Sequence, residues 1–212
     1  MNADSPPRIA PVVALDIGNV CYRLQFDVAA RGLGYPSMAA LEAELPELMD
    51  WSRLFETGHV TEATFMAEFA ERSRTDLRGS ALVDAWNRII GPEIPEMAEV
   101  IGEMRAAGLT VVFFSDIGPI HHRYVDATLS FRAAITGQVM SYRVGALKPD
   151  PAMYAAMESD HCDGGVPCLY TDDKPGNIAG ARARGWHSYP FGTPTGLRAA
   201  LAIALDRLAT QG

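Results

Sequence analysis

Pro11–Val20 reads P-V-V-A-L-D-I-G-N-V, a short apolar run that delivers Asp16 into a glycine-containing turn. An apolar run bounded by a turn is the pattern of a fully buried strand. The carboxyl ends of such strands are where open α/β sheets bind ligands. Three later segments repeat the pattern. Thr110–Asp116, T-V-V-F-F-S-D, ends a buried run on Ser115 and Asp116. Ala146–Pro151, A-L-K-P-D-P, presents Lys148 just ahead of a helix, and Cys168–Asn177, C-L-Y-T-D-D-K-P-G-N, ends a strand on Asp172 and Asp173. In chain order these supply a carboxylate, a hydroxyl, an ammonium and a carboxylate pair. Phosphoryl transfer at Mg²⁺ needs that inventory: a nucleophile, donors to phosphate oxygens, a cation for the accumulating charge, and hard oxygen ligands.

Between the first two runs the pattern is mostly helical. Ser37 is placed to cap a helix carrying Met38, Leu41, Leu45 and Leu48, and Thr61 to cap another with Phe65, Met66 and Phe69 on one face. Leu82, Trp86, Ile89 and Ile90 suggest a third, which Gly91-Pro92 breaks. From Glu96 helix and strand alternate. A helix through Met97 and Met104 closes at Gly108, Thr110–Phe114 is a strand, and a helix follows from Ile120. Ala133–Thr136 and Val139–Tyr142 read as strands, Pro151–Glu158 as a helix and Cys168–Thr171 as a strand. A helix over Pro175–Arg184, a strand over His187–Pro190 and an amphipathic helix over Thr195–Leu208 complete the chain. The expected fold is therefore α/β: a Rossmann-like parallel sheet with right-handed crossovers and helices on both faces.

The 212 residues suffice for one such domain and a small insertion. No segment approaches a membrane-spanning length of apolar residues, and M-N-A-D-S-P-P-R lacks the order of a signal peptide. Cys21, Cys162 and Cys168 do not make a disulfide framework, so a reducing, cytoplasmic setting is expected. His161, Cys162 and Cys168 match no zinc spacing. The net charge of −8 disfavours nucleic acid as a partner. Lys148 and Lys174 are the only lysines in a chain that otherwise uses arginine, and both fall in the recurring segments. A compact ammonium is thus kept for Lys148, while Lys174 reads as a surface lysine.

In their order and content, these four segments resemble the signatures of the haloacid dehalogenase-like (HAD) hydrolase superfamily. D-I-G-N-V, G-H-V-T-E-A-T-F from Gly58 to Phe65 and D-D-K-P-G-N from Asp172 to Asn177 further resemble its bacterial α-D-glucose-1-phosphatase-like branch. The resemblance implies a core over residues 11–21 and 95–212 and a helical cap inserted over 22–94; residues 1–10 read from their composition as a flexible tail. It implies Asp16 as the nucleophile that forms an aspartyl-phosphate, and Mg²⁺ held by Asp16, the Gly18 carbonyl and Asp173, with Asp172 in or next to that shell. Ser115 falls to a phosphate oxygen. Lys148 pairs with phosphate and with Asp16, and Asn177 orients Asp172 or Lys148. Asp116 stands where many relatives carry Asn, and it is counted with Ser115, Lys148 and Asn177 among the substrate-binding residues; a cap on the next helix is its alternative reading. His121 and His122 read as helix-surface residues, with one of them facing the cleft as a proton donor as the alternative; Trp86 and the Phe65/Phe69 stripe read as cap core.

One departure matters. Most phosphatases of the superfamily carry a second Asp two residues after the nucleophile, as general acid and base; here that position is Gly18. The expectation is a Mg²⁺-dependent phosphatase acting on a small phosphorylated metabolite such as a sugar phosphate. A 2-haloacid dehalogenase-type hydrolase and a non-catalytic phosphometabolite-binding protein stand as alternatives.

Overall fold

The computed structural model describes residues 10–210, so nine of the ten residues of the expected tail lie outside it. The chain enters through β1 (Val12–Leu15), turns, and forms the short β2 (Tyr22–Leu24). Five helices follow: α1 (Phe26–Gly32), α2 (Met38–Glu44), α3 (Leu48–Glu56), α4 (Glu62–Arg72) and α5 (Gly79–Asn87). After β3 (Ile90–Glu93) come α6 (Met97–Ala106), β4 (Thr110–Ser115), α7 (Pro119–Thr128), β5 (Gly137–Met140) and the single turn α8 (Ser141–Val144). The remainder is α9 (Pro151–His161), β6 (Leu169–Asp172), α10 (Pro175–Ala183), β7 (Ser188–Pro190) and α11 (Pro194–Thr210).

Five strands make one parallel sheet in the order β5-β4-β1-β6-β7. Alternate residues of β1 explain its two covered faces. Val13 and Leu15 join a core with α6 and α11, whereas Val12 and Ala14 join a second core with α9 and α10. Both faces are buried, which is why the strands read as continuous apolar runs rather than alternating ones. The connection from β1 leads to β4 on one side, and that from β6 leads to β7 on the other. The crevice between the ends of β1 and β6 is thus the topological switch point.

Helices α1–α5 bury a core of their own. Phe55 stacks on Phe65 with ring centroids 4.5 Å apart, and Phe65 and Phe69 both meet Trp86. Ser37 and Thr61 cap α2 and α4 through their hydroxyls, as their spacing predicts.

The details depart from the sequence reading in four places. The helix expected through Leu48 ends at Glu44, because Pro46 lacks an N–H and forces Leu45 out of helical geometry. Phe26–Gly32 forms a helix that the pattern did not reveal. Gly91-Pro92 is not a break but part of β3, antiparallel to β2 in a two-stranded ribbon, where Pro is tolerated because every strand is an edge. Ala133–Thr136 is not a strand: a 3₁₀ turn covers Arg132–Ala134, the sheet resumes at Gly137, and the strand expected to run through Tyr142 ends at Met140, where α8 begins.

Candidate active site

The carboxyl ends of β1, β4 and β6 converge on one buried ammonium. Lys148 Nζ donates to Asp16 Oδ1 at 2.9 Å, to Asp172 Oδ2 at 2.6 Å and to the Phe114 carbonyl at 2.8 Å. These three bonds use all of its protons. The Lys148 side chain is 1% exposed. Burial works against its charge, but Asp16, Asp172 and Asp116 together hold it above the ordinary lysine value. Burial pushes the Asp16 carboxyl up to about 6; the Lys148 ammonium pulls it down and Asp172 adds to the rise. Asp172 is buried too, yet the charge of Lys148 and several hydrogen bonds keep it below the usual carboxylate range.

Asp172 is saturated. Its Oδ1 accepts from the Lys174 N–H and from Asn177 Nδ2, and its Oδ2 from Lys148, the Tyr170 hydroxyl and Asn177 Nδ2. Asn177, buried on the first turn of α10, therefore grips both oxygens of Asp172 and makes no hydrogen bond to Lys148.

Asp173 points elsewhere. Its Oδ2 accepts from Asn19 Nδ2 at 2.9 Å, while Asn19 Oδ1 accepts from the Leu24 N–H. Asn19 has φ +53, a conformation that Asn tolerates better than most residues. It thereby ties the turn after β1 to the end of β2 and to the turn after β6.

Asp116 has an assignable role other than a helix cap. The N-cap of α7 is Gly118, with no side-chain cap, and Asp116 Oδ1 instead accepts the backbone N–H of Lys148 at 2.8 Å. It holds the lysine loop against the β4 loop. Ser141 completes that junction, accepting from the N–H of Ile117 and donating to its carbonyl. Ser115 is buried at the end of β4, facing the same cleft.

One oxygen from each of Asp16, Asp172 and Asp173 lies within 4.8 Å of the others. The Gly18 carbonyl accepts no hydrogen bond among the described residues. Three carboxylates against one ammonium leave two negative charges unmatched, and every available donor is a hard oxygen. That set fits a magnesium-like dication. Gly18 itself is crowded: a Cβ there would stand 2.9 Å from Leu24 Cδ1, so Leu24 occupies the space a side chain would take.

A 390 Å³ cleft lies between the sheet and helices α2, α3 and α5, lined on the sheet side by Gly18, Ser115, Asp116 and Lys148. Phe26, Met38, Met49 and Trp86 give it an apolar wall; Glu42, Ser52, Arg53 and Glu56 face it with polar groups. Lys174 lines the cleft as well, so its position is not an arbitrary stretch of surface. His121 and His122 are buried rather than on the surface. His121 stacks on Trp86 and its Nε2 bonds the Trp86 carbonyl, while His122 Nδ1 meets the Tyr142 hydroxyl. Glu56 and Arg53 carried no sequence signal of their own as site residues, because only the folding of α3 over the sheet brings them here; Asn19 lies inside the D-I-G-N-V motif, but its partner Asp173 is 154 positions away.

A doubly wound sheet with charged groups gathered at its switch point defines a class of α/β protein, and solved structures say which fold it is. No protein-family model matches the chain, and no curated protein matches it in sequence. A HAD family enzyme from Bacteroides thetaiotaomicron superposes with a TM-score of 0.76 at 19% identity, over 88% of this chain and 95% of that one. The same enzyme in complex with magnesium and inorganic phosphate gives 0.71 at 18% identity, over 87% and 95%. A HAD phosphatase from Thermococcus onnurineus gives 0.58 at 16% identity, over 90% and 97%. L-2-haloacid dehalogenase from Xanthobacter autotrophicus with chloropropionic acid covalently bound gives 0.59 at 18% identity, over 85% and 76%. The chain has the fold of the HAD hydrolases. No helix among the described residues is long and apolar enough to cross a membrane.

Proposed function

We propose that the protein is a Mg²⁺-dependent phosphomonoesterase of small phosphorylated metabolites, with Asp16 as nucleophile. The observation that carries this reading is the Lys148 ammonium fixed between Asp16 and Asp172 beside an unbalanced carboxylate cluster. Magnesium, held by Asp16, the Gly18 carbonyl and Asp173, would offset phosphate charge and orient the phosphoryl group. Asp16 attacks phosphorus in line; the P–O bond to the leaving group breaks and an aspartyl-phosphate forms, which water then hydrolyses. Lys148 keeps the nucleophile ionised and steadies charge on the transferring oxygens. Ser115 donates to a phosphate oxygen. Asp172 and Asn177 hold Lys148 in place, and Asp116 fixes its backbone.

A sugar phosphate suits the cleft, whose Trp86 and Phe26 offer apolar faces to a ring while Glu42, Ser52 and Arg53 offer partners to hydroxyls. Helices α1–α5 act as the cap that closes over it. Phosphate release from a panel of sugar phosphates and an aryl phosphate, with Mg²⁺ and with chelator, tests the reading, and Asp16→Asn is the control. Release that survives chelation would sink it.

Gly18 favours a second reading. A 2-haloacid dehalogenase needs a carboxylate nucleophile but neither metal nor an acid at that position. Halide release unaffected by chelator would decide for it.

A further inference from the structure

We propose that Glu56, on the last turn of α3, is the general acid and base that Gly18 leaves unfilled. The inference rests on the phosphatase reading above and goes beyond it by naming the missing group.

The placement is built, not incidental. Phe55, the preceding residue, is 2% exposed and locked between Phe65 and the core. Its ring lies so close to Gly118, in the loop after β4, that a Cβ there would stand 2.7 Å from Phe55 Cε1. Two residues beyond Glu56, Gly58 takes φ +71 and lies against the Tyr142 carbonyl of α8, leaving no room for a side chain. The end of α3 is thus clamped to the sheet layer on both sides of Glu56. The half-buried carboxyl lines the same cleft as Gly18, Ser115, Asp116 and Lys148. The cap carries the acid to a site whose own loop supplies none at Gly18, where Leu24 Cδ1 takes the place of a side chain.

The surroundings suit a group that must hold a proton near neutral pH. Burial is the main influence and pushes the Glu56 carboxyl up to about 7; Asp116 raises it further, while Lys174 and Arg53 oppose. Asp116 faces it from the β4 loop, Lys174 from the loop before α10 and Arg53 from its own helix; Glu42, His121 and Lys148 line the same cleft. An acid of that strength is poised for transfer in either direction.

The chemistry balances. As Asp16 bonds to phosphorus and the bond to the leaving oxygen breaks, Glu56 gives its proton to that oxygen and the alcohol departs. Glu56, now ionised, takes a proton from water as the water oxygen attacks the aspartyl-phosphate. The Asp16–phosphorus bond breaks, phosphate leaves, and both residues return to their starting forms.

Glu56→Gln separates these steps when nitrophenol and phosphate release are followed by rapid mixing in Mg²⁺. An aryl phosphate has a leaving group that needs no proton, so the variant keeps a nitrophenol burst. Steady turnover drops ~10²–10⁴-fold, and with alkyl or sugar phosphates the first step slows by a similar factor. The wild-type rate with those substrates falls as pH rises and Glu56 loses its proton; Glu56→Gln lacks that limb, and Glu56→Asp restores it in part. An unchanged thermal midpoint certifies that Glu56→Gln is folded; if it is not, Glu56→Asp carries the pH comparison. Wild-type turnover with no change in Glu56→Gln, or an equal loss on both substrate types with the pH limb intact, overturns the proposal alone. Absence of any phosphate release from the wild type overturns the phosphatase reading and this inference with it.

Discussion

Lys148 and Asp16 stand 2.9 Å apart at the end of β1, and the same ammonium lies 2.6 Å from Asp172. Neither carboxylate has another cation within salt-bridge distance among the described residues. Removing one partner of a buried ion pair typically costs ~3–5 kcal/mol, because the other charges stay buried without compensation. Lys148→Met is therefore expected to lower unfolding stability by about that amount and to abolish phosphate release. Added Mg²⁺ should recover part of the loss, since a cation can again sit among the carboxylates. Urea unfolding with and without Mg²⁺ checks this; a variant as stable as wild type would show that the pair is not buried as described.

Asn19 sets the direction of Asp173 through a 2.9 Å hydrogen bond. Residues that orient a metal ligand typically carry ~10–100-fold in metal affinity. Asn19→Gly accepts the positive φ and removes only the side chain, so it is expected to weaken Mg²⁺ binding by that factor with little loss of fold. Asn19→Ala adds backbone strain of ~1 kcal/mol or more. Titration of the thermal midpoint with Mg²⁺ reads the affinity directly, and equal midpoint shifts in wild type and Asn19→Gly would show that Asn19 does not orient a metal ligand.

His121 is 7% exposed and stacked on Trp86, and burial lowers its imidazole from the ordinary 6.5 to about 4. The unfolded chain therefore binds this proton from pH 6.5 downward while the folded chain does not. The neutral ring's contribution is fully present above 6.5 and is lost as pH falls from 6.5 to about 4, in all ~3 kcal/mol. Glu56 works the other way. Its folded value of about 7 exceeds the ordinary 4.5, so its contribution is present below 4.5 and lost as pH rises to about 7. The difference between wild type and His121→Phe isolates the first effect. That difference should shift in favour of His121→Phe as urea unfolding is moved from pH 7 to pH 5, and a pH-independent difference would refute the neutral buried histidine.

What the sequence made legible follows from how strongly each feature is encoded. β1, β4 and β6 announce themselves as unbroken apolar runs because both sheet faces are covered, and the polar residues at or just past their ends, Asp16, Ser115 and Asp172, mark the switch point. The ribbon of β2 and β3 is only three or four residues per strand, and Gly91-Pro92 inside it mimics a helix breaker. Pro46 splits one apparent amphipathic helix into two. Asp116 looked like a cap because Asp before a helix normally is one; its actual partner, the Lys148 N–H, is 32 positions away. Glu56 is one acidic residue among many until the contact between Phe55 and Gly118 fixes where it faces.

That contact yields the last expectation. Gly118 has φ −84 and ψ 163, an extended backbone open to any residue, so its lack of a side chain is set by Phe55 and not by backbone strain. Gly118→Ala puts a methyl group against the Phe55 ring, and overpacking of this kind costs ~1–3 kcal/mol. Relief requires the end of α3 to move away from the β4 loop, and Glu56 moves with it. Turnover of alkyl or sugar phosphates should therefore fall more than the aryl phosphate burst, the same asymmetry expected of Glu56→Gln. Phe55→Leu combined with Gly118→Ala should regain part of both stability and turnover, because the smaller side chain makes room for the methyl group. Thermal unfolding and burst kinetics on the two single variants and the double variant give the coupling, which for residues in contact runs to ~0.5–3 kcal/mol. Strict additivity would mean that the clash does not set the position of α3, and the route from cap packing to proton transfer would fail with it.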